Sequence, residues 1–314
     1  MSRSGTTQHD RSEAGLDPEQ LRRAVKRLAF RTRRNVEDLL AGNYQSAYKG
    51  VGIEFAEVRE YEPGDDVRSI DWNVTARTGK PHIKRFVEER QLTVMIAVDM
   101  SASESFGTRG RTKREVSIEV ASMLAATAAR HHDRVGLVLF TEKPEVFLPP
   151  KKGRLHMLRV MREMVGFSPM FAGTELTPAI DLIGAVLRRR SLVFVVSDFI
   201  LPGETFGESS AATRSLAQLN QRHEVVAMRV TDPRELDLPP MGLVRFRDAE
   251  TGRHRLVDLG FLAKRRYRKE RAQQFHAVER AMARSGVDLV ELSTDRPVMP
   301  ELLRHFRSRQ GAQR

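Results

Sequence analysis

The feature that most constrains the fold of this chain is a nearly unbroken apolar run that ends abruptly in a carboxylate. Residues Leu92–Val98 read Leu-Thr-Val-Met-Ile-Ala-Val, and Asp99 follows at once. A short apolar run rich in β-branched residues is typical of a strand buried on both faces of a parallel sheet. A second run, Ser191–Val196, is followed in the same way by Ser197-Asp198. The sequence therefore predicts two interior strands, each with a carboxylate at its carboxyl end.

Other predicted strands and helices alternate with these two runs. Strands are predicted at 135–141, 145–148, 224–230 and 287–292, and helices at 115–130, 155–165, 261–284 and 300–307. We expect the strand at 145–148 to be an edge strand that ends before Pro149. The alternation predicts an α/β fold with a doubly wound, mostly parallel sheet and helices on both faces. Residues 243–247 and 254–258 predict an appended hairpin.

The chain divides into four predicted parts. These are a disordered polar tail at 1–16, an N-terminal helix at 17–44, a small β-rich segment at 45–90, and the sheet domain at 91–310 with its hairpin insertion at about 243–258. Asp17 and Pro18 form a helix start, and the apolar stripe behind them predicts packing on the main domain. The β-rich segment is dense in paired charges, so its Asp65-Asp66 turn is interpreted as tied to arginines and not as a metal site.

Composition limits the possible functions. With no cysteine among 314 residues, disulfides, thiolate metal sites and cysteine nucleophiles are excluded. The longest apolar runs fall short of the ~18 residues that span a bilayer, and no signal peptide is recognisable, so we expect a soluble, cytoplasmic protein. A net charge of +12 raises nucleic-acid binding as an alternative function. The basic residues are spread out, however, and few aromatics lie among them, which argues against this alternative.

Oxygen-bearing side chains follow the two interior strands. Asp99, Ser101 and Ser103 form a D-x-S-x-S pattern, Gly173-Thr174 comes later, and Asp198 ends the second run. Ligands bind at the carboxyl ends of strands in doubly wound folds, and oxygen ligands suit Mg²⁺. The alternative is a plain Ser-rich turn, with Thr174 or Thr177 serving as a helix N-cap.

These three elements resemble the metal-ion-dependent adhesion site (MIDAS) of von Willebrand factor A domains. The string from Gly52 to Pro81 is more specific, and it resembles the bacterial domain of unknown function 58 family. The resemblance extends over about 45–300, and a chance match of that length is implausible. The residues of the family-signature turn are Tyr61, Pro63, Gly64, Asp65, Asp66, Arg68, Asp71 and Trp72. We expect this turn to pack beside the sheet domain, with Tyr61, Asp71 and Trp72 covered.

The resemblance implies a function. It implies Mg²⁺ or Mn²⁺ held by Asp99, Ser101, Ser103, Thr174 and Asp198, with one position open for an acidic residue of a protein client. It also implies a non-enzymatic, chaperone-like interaction module that partners a MoxR-type AAA+ ATPase. One departure is Phe199, which stands where A domains commonly have glycine and which we expect to crowd the site or alter its loop. A metal-dependent hydrolase is a weaker alternative, because the sequence has no G-x-S-x-G elbow and no P-loop lysine motif. A D-x-D phosphotransferase would need an aspartate in place of Ser101.

Overall fold

The structure is a computed structural model that describes most of the chain. The described residues are 17–36, 42–44, 47–48, 53–63, 65–88, 91–108, 110–200, 206–207, 210–238, 242–247, 254–258 and 260–312. The predicted tail at 1–16 and the tip of the predicted hairpin lie outside them.

The secondary structure follows the predicted alternation. The strands are β1 (Ile53–Glu60), β2 (His82–Glu88), β3 (Thr93–Asp99), β4 (Arg134–Phe140), β5 (Pro144–Lys151), β6 (Leu192–Ser197), β7 (Glu224–Thr231), β8 (Leu243–Arg247), β9 (His254–Asp258) and β10 (Asp288–Ser293). The helices are α1 (Pro18–Val36), α2 (Trp72–Thr78), α3 (Lys113–Arg130), α4 (Arg154–Val165), α5 (Thr177–Val186), α6 (Ala211–Arg222), α7 (Pro233–Leu236), α8 (Phe261–Arg284) and α9 (Val298–Ala312).

The central sheet has six strands in the order β10, β7, β6, β3, β4, β5. All neighbours are parallel except β4 and β5, which pair antiparallel. The chain starts at β3 in the middle, winds outward through β4 to β5, and then returns to β6 on the other side of β3. The strand order therefore reverses between β3 and β6, which is where doubly wound folds bind ligands. This confirms the predicted α/β fold.

The two faces of the sheet are covered by separate sets of helices. Alternate residues of β3 point to opposite faces, so Val94, Ile96 and Val98 pack under α3, α4 and α9, whereas Met95 and Ala97 pack under α5, α6 and α8. Both faces are fully buried, which explains why the strand sequences are continuously apolar and do not alternate.

The segment before the sheet domain is anchored to it by two buried tyrosines. Helix α1 packs on α3 and α4, and its Val25 is buried. Tyr44 Oη donates to Asp133 Oδ2 (3.1 Å), and Tyr48 Oη lies 3.0 Å from His305 Nε2. Both tyrosine rings contact Phe306, with centroid distances of 5.9 Å. The packing of the N-terminal helix on the main domain was predicted, but these anchors were not.

The signature segment contains a helix that the sequence reasoning missed. Strands β1 and β2 pair antiparallel, as a β-rich segment should, but α2 lies between them. The Asp71 carboxylate caps α2 by accepting from the N–H groups of Asn73 (3.0 Å) and Val74 (3.3 Å). Gly79 ends it with a left-handed φ of +73°. No apolar stripe marks this short helix, so the sequence pattern does not indicate it.

Two further details concern strands. The appended hairpin is confirmed, with β8 and β9 paired antiparallel. Strand β5 is an edge strand as predicted, but it continues through Pro149 and Pro150 to Lys151 instead of ending before them. Proline is tolerated because an edge strand pairs on one side, which leaves its other side free of ladder hydrogen bonds.

None of the helices in the described part of the chain combines the length and apolar content that a membrane crossing requires.

The burial of His305 predicts a pH dependence of stability. Burial lowers the pKa of His305 to about 4, Asp288 opposes this shift, and Arg309 reinforces it. The unfolded chain, with an ordinary histidine pKa near 6.5, therefore binds the proton more readily, and stability falls as pH drops from about 6.5 towards 4. We expect His305→Gln to remove about 1–2 kcal/mol of this loss. Urea unfolding at several pH values checks it, and parallel wild-type and variant curves would contradict it.

Candidate metal centre

Four of the five predicted ligands converge where β3 and β6 end. Asp99 and Ser101 are fully buried, and Asp198 is 2% exposed. The two serine Oγ atoms lie 3.2 Å apart, and Ser103 Oγ donates to Asp198 Oδ2 (3.2 Å). Asp99 accepts from the Ser101 N–H at Oδ1 (2.9 Å) and from Ser197 Oγ at Oδ2 (2.8 Å). A continuous set of hard oxygen atoms therefore lies at the switch point of the sheet.

The predicted fifth ligand lies on a segment that is tied to this cluster. Thr174 is 7% exposed. Two residues before it, the Ala172 carbonyl accepts from the Ala102 N–H in the D-x-S-x-S loop (3.1 Å). One residue after it, the Glu175 N–H donates to the Thr141 carbonyl at the end of β4 (2.9 Å). Helix α5 begins only at Thr177, after Leu176 at the N-cap position, so neither Thr174 nor Thr177 is the N-cap of that helix.

The backbone of Gly173 in this segment lies close to the carboxylate of Glu142. Its N–H donates to Glu142 Oε1 (3.2 Å), and a Cβ added to Gly173 would lie 2.7 Å from that oxygen. A larger residue at this position would therefore have to push the Glu142 carboxylate away from the backbone.

The sequence reasoning missed two charged residues of the cluster. Glu104 directly follows the D-x-S-x-S pattern and is fully buried. It forms with Asp99 and Asp198 a group whose carboxylate oxygens lie within 4.8 Å of one another. Lys113, the first residue of α3, is 1% exposed, and its Nζ donates to Asp198 Oδ2 (2.6 Å) and Glu235 Oε1 (2.8 Å). The available signals were only a charge after the motif and one at a helix start, both ordinary on a protein surface.

The electrostatics follow from this crowding. Burial raises the pKa of Asp99 to about 6, and the negative charge of Asp198 acts in the same direction. Burial also raises the pKa of Glu104, against the positive charge of Lys113. For Lys113 burial alone would lower the pKa, but the surrounding carboxylates outweigh it and hold the pKa above its ordinary value. Three acidic groups, Asp99, Glu104 and Asp198, thus share one buried lysine.

The residues present fit a hard divalent cation. Glu104 Oε2 accepts from Ser117 Oγ (3.1 Å), whereas Glu104 Oε1 is buried and accepts no hydrogen bond from the described residues. A buried acceptor left without a donor costs about 1–3 kcal/mol, or more when it is charged. Oxygen donors of the carboxylate and hydroxyl type are those that Mg²⁺ and Mn²⁺ prefer.

Phe199 alters the backbone and not the interior of the cluster. Its φ is +56°, a left-handed conformation that glycine adopts freely and a phenylalanine adopts at a cost of about 1–3 kcal/mol. The side chain is 1% exposed and packs edge-on against Phe206, with ring centroids 5.7 Å apart. The expected crowding of the site is therefore wrong, because the ring enters the hydrophobic core beneath α5 and α6.

In the family-signature turn Asp65 pairs with an arginine as predicted, whereas Asp66 accepts from a backbone N–H. Asp65 pairs with Arg59 (2.7 Å) and accepts from the Glu62 N–H (2.9 Å). Asp66 accepts from the Arg68 N–H (3.0 Å), and Asp71 is buried as the cap of α2. The remaining signature residues are Tyr61, which is half-buried, Pro63 and Arg68, which are exposed, and Gly64, which lies outside the described residues.

Our expectation that Trp72 would be covered is wrong. Trp72 occupies the first position of α2, and its side chain is 69% exposed. The N-terminal position of a short capped helix directs the ring to solvent.

The strand order and the oxygen cluster at its reversal define this protein as one with a von Willebrand factor A-like domain. The chain belongs to the family described as Protein of unknown function DUF58, whose model matches residues 57–279. It is 31% identical to the uncharacterized protein Rv1480 of Mycobacterium tuberculosis over 296 residues, which are 94% of this chain and 91% of that protein. It is 24% identical to the uncharacterized protein YeaD of Bacillus subtilis over 109 residues, which are 35% of this chain and 25% of that protein.

Two solved structures are similar to part of this chain. The conserved hypothetical protein BatB from Bacteroides thetaiotaomicron matches with a TM-score of 0.46 and 16% identity, covering 70% of this chain and 99% of that one. The SpRpn10 VWA domain matches with a TM-score of 0.39 and 11% identity, covering 68% of this chain and 95% of that one. Both structural similarities are weak, and the von Willebrand factor A-like class is assigned from the strand order and the oxygen cluster.

The backbone at Phe199 generates a test. We expect Phe199→Ala and Phe199→Gly each to lower the free energy of unfolding by about 2–4 kcal/mol, because both lose the buried ring. Glycine should be the better tolerated of the two by about 1 kcal/mol, since it alone relieves the left-handed strain. Urea denaturation of the two variants checks this order. An alanine variant more stable than the glycine variant would contradict it.

Proposed function

We propose that this chain is a non-enzymatic protein-interaction module that binds its client through a divalent cation. The observation that supports this most is the group of three buried carboxylates, Asp99, Glu104 and Asp198, beside two serine hydroxyls at the sheet's switch point. In this proposal Mg²⁺ or Mn²⁺ is held by the five predicted ligands, Asp99, Ser101, Ser103, Thr174 and Asp198. Glu104 lies beside them, and the carboxylates act directly or through water, so that one of the six positions of the cation stays open. When bound, such a cation supplies a Lewis-acidic position to which a carboxylate of another protein can bind.

The protein residues have the roles of binding and orienting. The Ser101 N–H and Ser197 Oγ fix the Asp99 carboxylate, and the Ile200 N–H fixes Asp198 at Oδ1 (2.9 Å). Among the described residues no hydrogen bond joins Ser101 or Ser103 to a histidine, which a serine nucleophile would use as its base. A binding role is therefore favoured over hydrolysis by a serine nucleophile.

The proposed partner is a MoxR-type AAA+ ATPase, which this chain would serve as an adaptor in assembling or activating other protein complexes. The support is the family resemblance of the signature segment together with the site itself. This role would put the chain in the cytoplasm, where such an ATPase has access to its nucleotide. The exposed Trp72 of the signature turn is a surface on which a protein partner could pack.

Cation binding tests the site. We expect isothermal titration of Mn²⁺ to show one binding event on wild type, weakened about 100-fold or lost in Asp99→Ala, because a buried carboxylate is removed from the ligand set. Asp181→Ala, which removes an exposed carboxylate with the same change of charge, is the matched control. Circular dichroism confirms that each variant is folded. Equal Mn²⁺ binding by wild type and Asp99→Ala would contradict the proposed site.

Capture of the ATPase tests the partner. Immobilised wild-type protein should retain a purified MoxR-type ATPase in Mn²⁺, and retention should fall at least about tenfold in EDTA or with Asp99→Ala, because the bridging cation is missing. Double-stranded DNA added at moderate salt is the control for the nucleic-acid alternative. If the ATPase bound to a phosphate-binding surface of this chain, the DNA would compete for that surface and displace the ATPase. Retention that is indifferent to EDTA would contradict a cation-dependent contact.

A further inference from the structure

A buried lysine, Lys113, lies in the candidate metal centre. A positively charged side chain is unexpected there, because it repels the cation that the site would bind. Lys113 is 1% exposed, and its Nζ bridges two carboxylates that come from different parts of the sheet, Asp198 after β6 and Glu235 after β7. A lysine this deeply buried is retained only where it is paired. Its partner Asp198 is also one of the predicted metal ligands.

Lysine and cation would use the same oxygen. Asp198 Oδ2 accepts from both Ser103 Oγ (3.2 Å) and Lys113 Nζ (2.6 Å). Asp198 Oδ1 already accepts from the Ile200 N–H (2.9 Å). The side of Asp198 that faces the serines is therefore the side that Lys113 holds. Two positive charges at one carboxylate oxygen repel each other strongly in a buried setting.

The Lys113 ammonium keeps a second carboxylate partner, Glu235, if it leaves Asp198. The backbone of Lys113 is fixed, because its N–H donates to the Phe106 carbonyl (2.8 Å) and α3 is capped by Thr112 and Glu115. Its long side chain retains Glu235, whose side chain is 11% exposed and therefore nearer to solvent than Asp198 at 1%. Glu235 is itself held by the Asp232 N–H at Oε2 (3.0 Å). Releasing Asp198 therefore does not leave the ammonium unpaired.

We propose that Lys113 is the resident counter-ion of this site: it occupies Asp198 when no metal is bound, and a divalent cation binds only by displacing it. This inference rests on the proposed function, because it concerns the same cation. Lys113 and the cation then compete for Asp198, and this competition sets the concentration of free cation at which the site fills.

Mn²⁺ titration of Lys113→Met tests the displacement. Methionine keeps the length and apolar stem of the lysine but removes the charge, so we expect Mn²⁺ to bind about tenfold or more tightly than to wild type. Lys80→Met is the control, because Lys80 is an exposed lysine paired with Glu60 and its loss changes the net charge equally. Its affinity for Mn²⁺ should equal that of wild type.

The outcomes separate this inference from the proposed function. If wild type fails to bind and Lys113→Met binds, the counter-ion role is supported, and the cation dependence of the proposed function is wrong. If both bind equally, or Lys113→Met binds more weakly, the counter-ion role is overturned and the proposed function stands. If neither binds, both are overturned.

A second pair of variants serves if Lys113→Met fails to fold. The double variant Lys113→Met with Glu235→Gln removes one charge of each sign, and it should bind Mn²⁺ more tightly than Glu235→Gln alone by a similar factor. In the wild-type protein, the ¹⁵Nζ resonance of Lys113 should shift as Mg²⁺ is added, until the site is saturated, because the contact with Asp198 is lost. A resonance unchanged at saturating Mg²⁺ would overturn displacement, leaving at most a distant electrostatic effect.

Discussion

Repulsion between two buried carboxylates is the constraint on which the site depends. The parallel register of β3 and β6 pairs Val98 with Val196, so that Asp99 and Asp198 come together just beyond the sheet. Burial removes the water that would separate their charges, and Glu104 adds a third carboxylate to the same group. Such a group can persist only with hydrogen-bond donors and positive charge around it. The serines, the loop N–H groups and Lys113 supply part of both.

The loops at the carboxyl ends of the strands are joined to one another by hydrogen bonds. The D-x-S-x-S loop is joined to the Ala172 carbonyl, and Thr108 in its continuation donates to Asp232 at the end of β7 (2.6 Å). Asp232 also accepts from Thr294 Oγ1 after β10 (2.6 Å). The rim of the sheet is thus one connected polar network.

Much of this could be predicted from the sequence, because its strongest signals are local. The apolar runs ending at Asp99 and Asp198 indicated the central strands and the place where a ligand would bind, and strands 243–247 and 254–258 have the predicted bounds. Predictions failed where tertiary context decides. Lys113 and Glu104 look like surface charges until the start of α3 is seen to pack over the cluster. Helix α2 depends on its caps, and Trp72 on the direction that the first position of α2 gives it.

The most direct measurement is a crystal structure of the wild-type protein soaked in Mn²⁺, recorded with anomalous diffraction. The account predicts one anomalous peak within coordination distance of Asp99, Glu104 and Asp198 oxygens, with Lys113 Nζ moved from Asp198 towards Glu235. A crystal without a peak at this cluster, or a peak there beside a Lys113 still bonded to Asp198, would contradict it.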